Sequence, residues 1–238
     1  MKFSSPLIRS TLVKRYKRFL SDHEQEDGTI VTAHCANPGA MLGLTRPGSE
    51  TWLSPADNPK RKLRYTWEMI RVEAGAHGLV GINTTHPNSI VAASIQAGEV
   101  AELKGYANIR REVKYGENSR IDILLEAEGV PPCYVEIKNV HLRRRGTIAE
   151  FPDSVTKRGA KHLDELAKVV EAGGRAVMFY LVQRSDCDSF SLAADIDPAY
   201  AEAFAAAHVS GIEAICYGCA LSTDEIRLAH QIPIDTDC

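Results

Sequence analysis

Apolar and polar residues alternate through the first eighty or so positions, a period-two pattern that predicts short strands. Residues 7–20 (LIRSTLVKRYKRFL) mix Leu, Ile, Val, Tyr and Phe with basic side chains and suit either a strand or a helix. The Asp27-Gly28 turn and the β-rich Thr29-Ile30-Val31-Thr32 that follow favour a long hairpin. Pro38-Gly39 and Pro47-Gly48 punctuate the chain before strands expected over 50–54, 63–72 and near 79–82. Five short strands in so little sequence predict a small barrel.

The period then changes. Pro87-Asn88-Ser89 opens a predicted helix on which Ile90, Val91, Ile95 and Val100 share a face. Strands are expected near 109–115, 120–127 and 133–140. A long helix follows over 154–172, closed by Gly173-Gly174. The continuous apolar run AVMFYLV (176–182) reads as a buried central strand, with a helix from 198 to about 208 and a strand near 212–217 after it. The expected fold class is mixed α/β: a barrel over 1–83 and an α/β unit over 84–238.

A chain of 238 residues can bury one large core or two small ones. With 44% hydrophobic and 25% charged residues it has the make-up of a globular protein. No run approaches the roughly 18 apolar residues of a membrane span, and Met1-Lys2-Phe3-Ser4-Ser5-Pro6 lacks a secretory apolar stretch. A cytoplasmic protein with no membrane partner is expected. Cysteines 35, 133, 187, 216, 219 and 238 are scattered and are expected to be reduced. Cys216 and Cys219 form a single C-x-x-C, too few ligands for a structural zinc site. Net charge is only −3, but it is unevenly spread. Residues 1–64 carry eleven Lys/Arg against six Asp/Glu, whereas residues 186–238 carry ten acids and one base, Arg227. A basic end facing a polyanion and an uneven but neutral-in-effect surface both fit that pattern.

The chemistry concentrates between 112 and 138. Glu136 and Lys138 are two apart on an expected strand, so they project from one face while Val135 and Ile137 pack on the other. Glu128-Gly129-Val130-Pro131-Pro132 is a strong turn signal, and a hairpin through it brings Asp122 beside Glu136. Two carboxylates, with the Ile137 carbonyl between them, can ligate Mg²⁺ or Mn²⁺ through oxygen. Such a cation polarises a phosphodiester, while Lys138 steadies the charge gathering on the phosphate. A structural Glu/Lys/Asp charge network on an exposed strand is the alternative.

This arrangement resembles the PD-(D/E)xK nuclease core. The chain resembles the bacterial sugar fermentation stimulation protein family over nearly its full length, through LVKRYKRFL (12–20), HCANPGAM (34–41), REVKYG (111–116), SRID (119–122), YVEIKNV (134–140) and FPDSVTKRGAKHLDEL (151–166). The resemblance implies an N-terminal OB-fold-like barrel and a C-terminal nuclease-like domain. It implies DNA as partner, with either Mg²⁺-dependent cleavage or non-catalytic regulation of sugar-utilisation genes. By position, Asp122, Glu136 and Lys138 match the nuclease core, and Glu112 matches the acid preceding it. One departure is Ala160, where the family's pattern commonly carries Gln.

The expected nucleic-acid surface has several parts. Lys14, Arg15, Lys17 and Arg18 surround Tyr16, with Phe19 after them; the bases neutralise phosphates, and the rings either stack bases or fill the core. Lys60, Arg61, Lys62 and Arg64 form a second cluster in an expected loop. Arg143, Arg144 and Arg145 are expected on a basic loop near the carboxylates, and Arg158, Lys161 and His162 on one helix face. The Lys60–Arg64 cluster reads equally as a solvated loop, the Arg143–Arg145 and Arg158–His162 groups can be solvated surface, and the two barrel clusters together favour binding. The polar turn His34-Asn37-Pro38-Gly39-Met41 has no chemical role that the residues reveal, and monomer and dimer stay equally open.

Overall fold

The computed structural model describes residues 1–58, 60–74, 76–116 and 119–235. Six strands occupy the N-terminal third: β1 (Ile8–Tyr16), β2 (Leu20–Gln25), β3 (Ile30–Cys35), β4 (Glu50–Pro55), β5 (Tyr65–Ala74) and β6 (Ala76–Gly81). Parallel pairing of β3 with β5, through Ala33↔Tyr65, His34↔Thr66 and Cys35↔Trp67, closes β1 to β5 into a barrel. Strand β6 adds to β5 outside that closure. The expected single element over 7–20 is corrected here. Lys17 and Arg18 take left-handed φ values of 49° and 61°, which ends β1 and starts a tight turn into β2. The basic cluster is therefore half strand and half turn.

Helix α1 (Pro87–Gln96) follows, then β7 (Asn108–Tyr115), β8 (Ser119–Ala127), β9 (Val130–Val140), β10 (Leu142–Arg145) and β11 (Ile148–Phe151). Next come α2 (Lys157–Glu171), β12 (Arg175–Val182), β13 (Ser189–Leu192), α3 (Pro198–Val209), β14 (Glu213–Leu221), β15 (Ile226–Gln231) and β16 (Ile234–Asp235). The main sheet runs β15-β14-β12-β9-β8-β7, with β9, β12 and β14 parallel through crossovers that carry α2 and α3. The short strands β10, β11, β13 and β16 form a second sheet that the sequence pattern did not signal. Residues 176–182 are all buried, as expected of a strand covered on both faces.

Alternation along β9 divides the interior. Cys133, Val135 and Ile137 join α1 in one core, which also takes in Trp52 and Met69 from the barrel. Val140, with Tyr134 at its margin, joins the other core beneath α2 and α3. Barrel and sheet thus share one hydrophobic cluster. Cys216 and Cys219 fall in opposite cores, so their side chains leave opposite faces of β14, and both are free thiols. Cys238 lies outside the described residues. No described helix is long and apolar enough to cross a membrane.

Two further contacts seat the barrel. Strand β6 meets the segment after β12: the Gly81 amide donates to the Gln183 carbonyl (2.9 Å), and Leu79 and Ser185 exchange hydrogen bonds at 2.9 and 3.0 Å. The approach leaves no room for side chains, because a Cβ at Gly78 would lie 2.6 Å from the Asp186 carboxyl carbon. The second contact is the turn around residues 34–41. Asn37 Nδ2 donates to the Ile82 carbonyl (2.9 Å), and its Oδ1 accepts from the Gly39 amide (2.9 Å). The Met41 amide donates to Asp153 Oδ2 (3.0 Å), which also faces His141 Nε2 at 3.3 Å. A Cβ at Gly39 would sit 2.6 Å from that carboxylate. The turn that carried no legible chemistry is a latch onto Asp153.

Burial by itself raises the Asp153 carboxyl. Hydrogen bonds from His141, the Met41 amide and Ser154 outweigh it and pull the group down to about 2. A carboxylate depressed in the folded state stabilises above the unfolded value and loses that contribution as pH falls through the folded one. Asp153→Asn is expected to lower stability at pH 7 by about 2 kcal/mol, the loss shrinking as pH drops from about 4 toward 2. Urea unfolding at pH 7 and pH 3 checks this.

Candidate functional site

The site forms where the β8–β9 hairpin comes apart. Ala127 pairs with Val130 across the Glu128-Gly129 turn, tighter than the five-residue signal suggested, and the ladder continues to Ile123↔Val135. One step on, Asp122 and Glu136 face each other. The Ile137 amide, which would otherwise seek a carbonyl on β8, donates to Asp122 Oδ2 at 2.7 Å. Asn88, in the first turn of α1, donates to Asp122 Oδ1 at 2.7 Å and to Glu112 Oε1 at 3.1 Å. Glu112 itself takes a left-handed φ of 53°, which is strained for a glutamate and sits opposite Asp122 in the β7–β8 pair.

Glu136 is 3% exposed. Its Oε1 accepts from Lys138 Nζ at 2.8 Å and from His162 Nδ1. Its Oε2 is buried with no hydrogen-bond partner among the described residues. His162, on α2, is 4% exposed and bound to Glu136, so it is neither the phosphate contact expected on that helix face nor a solvated side chain. Arg158 Nε donates to His162 Nε2 at 3.2 Å. A donor at Nε2 requires a lone pair there, which places the ring proton on Nδ1, aimed at Glu136. Arg158, His162 and Glu136 therefore form one directed chain. Lys161 points elsewhere, to Glu165 Oε1 at 3.5 Å.

The two carboxylates differ electrostatically. Burial first, and then the neighbouring charge of Glu136, push Asp122 up to about 6 against the Ile137 amide, Asn88 and Lys138. Burial also works to raise Glu136, but His162 and Lys138 more than offset it and leave that group lowered. Among the described residues no cluster of three His, Cys, Asp or Glu side chains could cage a metal ion. What is present is two carboxylates, one with an unpartnered buried oxygen, and an adjoining main-chain carbonyl at Ile137. That oxygen-only set fits a hard cation that keeps several of its waters, as Mg²⁺ does.

Two neighbours were not read from the sequence. The Tyr115 hydroxyl and Glu165 Oε2 are buried without hydrogen-bond partners among the described residues and line, with Tyr134, a cavity of about 390 Å³. Burial and then the charges of Glu136, Glu165 and Asp122 raise the Tyr115 hydroxyl, which marks these groups as neighbours. The available signal was a glutamate between Leu163 and Leu166 on the buried stripe of α2. Asn88 had been read only as a helix opener.

The expected nucleic-acid residues scatter. Lys14 lies 5.3 Å over the Tyr16 ring and 3.5 Å from Asp22, which also accepts from the Tyr16 hydroxyl at 3.0 Å. The Arg15 guanidinium is committed to the carbonyls of Arg18, Asn37 and Gly39 at 3.1, 2.9 and 3.0 Å, so it braces the latch. Lys17, Arg18 and Phe19 are exposed, as are Lys60, Arg61, Lys62 and Arg64 between β4 and β5. Arg143, Arg144 and Arg145 are not on a loop. They form strand β10 and line a cavity shared with the barrel, whose walls include none of Asp122, Glu136 or Lys138.

A family model for the Sugar fermentation stimulation protein RE domain matches residues 85–225, and one for the SfsA N-terminal OB domain matches residues 13–82. A sugar fermentation stimulation protein homolog of Paramagnetospirillum magneticum is 61% identical, the match covering 99% of this chain and 98% of the relative. Its counterpart in Rhodospirillum centenum is 60% identical with 98% of both covered. The solved structure of Pyrococcus furiosus SfsA in complex with Ca²⁺ matches with a TM-score of 0.87 at 27% identity, covering 99% of this chain and 98% of that one.

An acid raised above its unfolded value binds more protons when folded, so its stability contribution falls as pH rises from about 4 to about 6. Asp122→Asn removes that loss, and Asn88 can turn its amide to meet the new group. The variant is expected to be more stable than the parent in chelator at pH 7, by about 1–3 kcal/mol, and equal to it near pH 4. Thermal melts at both values test the sign, and a variant less stable at pH 7 contradicts it.

Proposed function

The chain belongs to the sugar fermentation stimulation protein family, and on that premise we propose that it is a DNA-binding, divalent-cation-dependent nuclease that hydrolyses phosphodiester bonds at Asp122, Glu136 and Lys138. The observation that carries this reading is the state of Glu136. One oxygen is anchored by Lys138 and His162, while the other is buried without a partner among the described residues, beside a second carboxylate. Leaving such an atom unsatisfied is costly in a protein built only for stability. That P. furiosus SfsA was solved with Ca²⁺ supports a hard divalent cation, with Mg²⁺ or Mn²⁺ as the working ion.

Asp122, Glu136 and the Ile137 carbonyl would hold the cation. When bound, it would supply Lewis-acid polarisation of the phosphodiester and a more acidic water. The protein's own groups do the rest. The Ile137 amide and Asn88 fix the angle of the Asp122 carboxylate. His162, oriented by Arg158, and Lys138 hold Glu136 through Oε1 and leave its buried Oε2 for the cation. The Lys138 ammonium, on a side chain only 13% exposed, is positioned to stabilise charge developing on the phosphoryl oxygens in a site with little water to screen it. Glu112, bonded to Asn88, would add a further carboxylate near the cation. Ala160 removes one polar group that the family pattern places on α2 and leaves both carboxylates intact. The barrel, with its exposed Lys60–Arg64 loop and Lys17–Arg18 turn, contributes the surface that draws in the polyanion.

Incubation of the protein with plasmid and with single-stranded DNA, in Mg²⁺, Mn²⁺ or EDTA, tests the reading. Cleavage is expected with either cation and not with EDTA. Glu136→Gln and Lys138→Ala are each expected to lose about a hundredfold or more in rate while still retaining DNA. DNA retention by the parent with no cleavage under any cation would leave a DNA-binding regulator in place of a nuclease.

A further inference from the structure

A cavity of about 610 Å³ lies where the barrel meets the β10–β11 hairpin. Arg9 and Arg71 enter it from β1 and β5, Arg143, Arg144 and Arg145 from β10, and Arg184 from the segment after β12. These side chains are not loose surface bases. Acidic residues hold them in place, and each of three carboxylates is shared by two guanidiniums. Glu50 accepts from Arg9 and Arg71. Asp186 accepts from Arg184 at 2.9 and 2.8 Å and from Arg143. Glu150 accepts from Arg144 at 2.9 and 2.7 Å and from Arg145 at 3.2 Å.

Asp186 and Glu150 have side chains 1% and 0% exposed, so they stand behind the arginines. One negative charge against two positive leaves a surplus of cation facing the cavity. Asp195 takes the second edge of Arg144 at 2.6 and 2.8 Å, and Arg184 spends its remaining nitrogen on the His141 carbonyl at 2.7 Å, so the open edges belong to Arg9, Arg71, Arg143 and Arg145. Glu26, 3.8 Å from Arg9, has a side chain 75% exposed, where solvent screens it. A guanidinium has five N–H donors in a fixed fork, and an edge not used on a carboxylate matches a phosphoryl group bidentately. With the rotamers already set, little side-chain entropy remains to be lost on binding.

We propose that this cavity binds a chain of linked phosphoryl groups, at a point separate from the carboxylate pair. The ligand is either the backbone of a nucleic-acid strand or a free oligophosphate, and both present the same row of anionic oxygens. The placement suits a strand that also reaches Glu136. Seven residues separate Glu136 from Arg143, at most about 23 Å of extended chain, or roughly seven nucleotide steps of duplex. The inference stands on the arginine geometry and not on cleavage.

The test uses Arg9→Ala, Arg145→Ala and the double variant, whose side chains are 64% and 65% exposed and support no buried group alone. Circular dichroism checks that they fold. Fluorescence anisotropy in EDTA measures binding of a labelled 15-nucleotide single strand and of the matching duplex, with tripolyphosphate titrated separately by calorimetry. The double variant is expected to lose tenfold or more in affinity, and the slope of log K against log salt to fall by about one per arginine. A loss confined to the oligonucleotides assigns the site to a nucleic-acid backbone, and an equal loss for tripolyphosphate assigns it to oligophosphates. Unchanged affinity and slope for every probe overturn the proposal. Cleavage is read in a separate Mg²⁺ assay. A parent that binds here and does not cut sinks the nuclease reading alone. A double variant that cuts with an unaltered KM and binds as the parent does sinks this one alone.

Discussion

Where the β8–β9 ladder stops, the Ile137 amide goes to a carboxylate instead of a carbonyl, and the arrangement of the site follows from that substitution. An amide leaving a sheet must find another acceptor or bear the cost of desolvation. Asp122 supplies it at 2.7 Å. The bond locks Asp122 against β9 and brings its charge next to Glu136. It also opens the hairpin at the point where Asn88 and Glu112 approach from α1 and β7. Two acids forced together in a buried place raise one another's proton affinity, and Asp122 bears that cost.

The neighbouring groups divide the work of containing that charge. Lys138 and the Arg158–His162 chain neutralise and orient one oxygen of Glu136 and leave the other without a partner among the described residues. A protein selected for stability alone would have closed this arrangement with an apolar pair. Keeping it open, with Tyr115 and Glu165 also unpartnered among the described residues, suits the proposed site, which would trade stability for a cation and substrate.

The barrel is seated with comparable care. Gly39 and Gly78 allow backbone to approach carboxylates that any side chain would strike, and Trp52 and Met69 enter the same core as β9 and α1. On the sheet side Asp153 bonds the barrel directly, and Asp186 packs against Gly78 beside the Gln183 and Ser185 hydrogen bonds. Asp186 also holds two of the arginines of the proposed phosphate cavity, so the contact that fixes the barrel also shapes that cavity.

Much of this was legible in the residues themselves. Period-two alternation marked β4, β5 and β6 but ran β1 and the start of β2 together, and the apolar run 176–182 marked the central strand of the main sheet. Glu136 and Lys138 share a face because strands alternate, and the Gly129 turn returns the chain toward Asp122; these are local facts, and local pattern suffices for them. The roles of Arg15, His162 and Arg143 were not legible. An arginine or histidine side chain is long enough to serve solvent, a phosphate or a distant carbonyl equally well, and nothing within a few residues decides among them. Their partners, Asn37, Glu136 and Asp186, lie 22, 26 and 43 residues away. Short-range chemistry along the chain therefore determined which strands form and which acids meet, and only long-range packing decided which bases are braces, which are buried and which still face an anion.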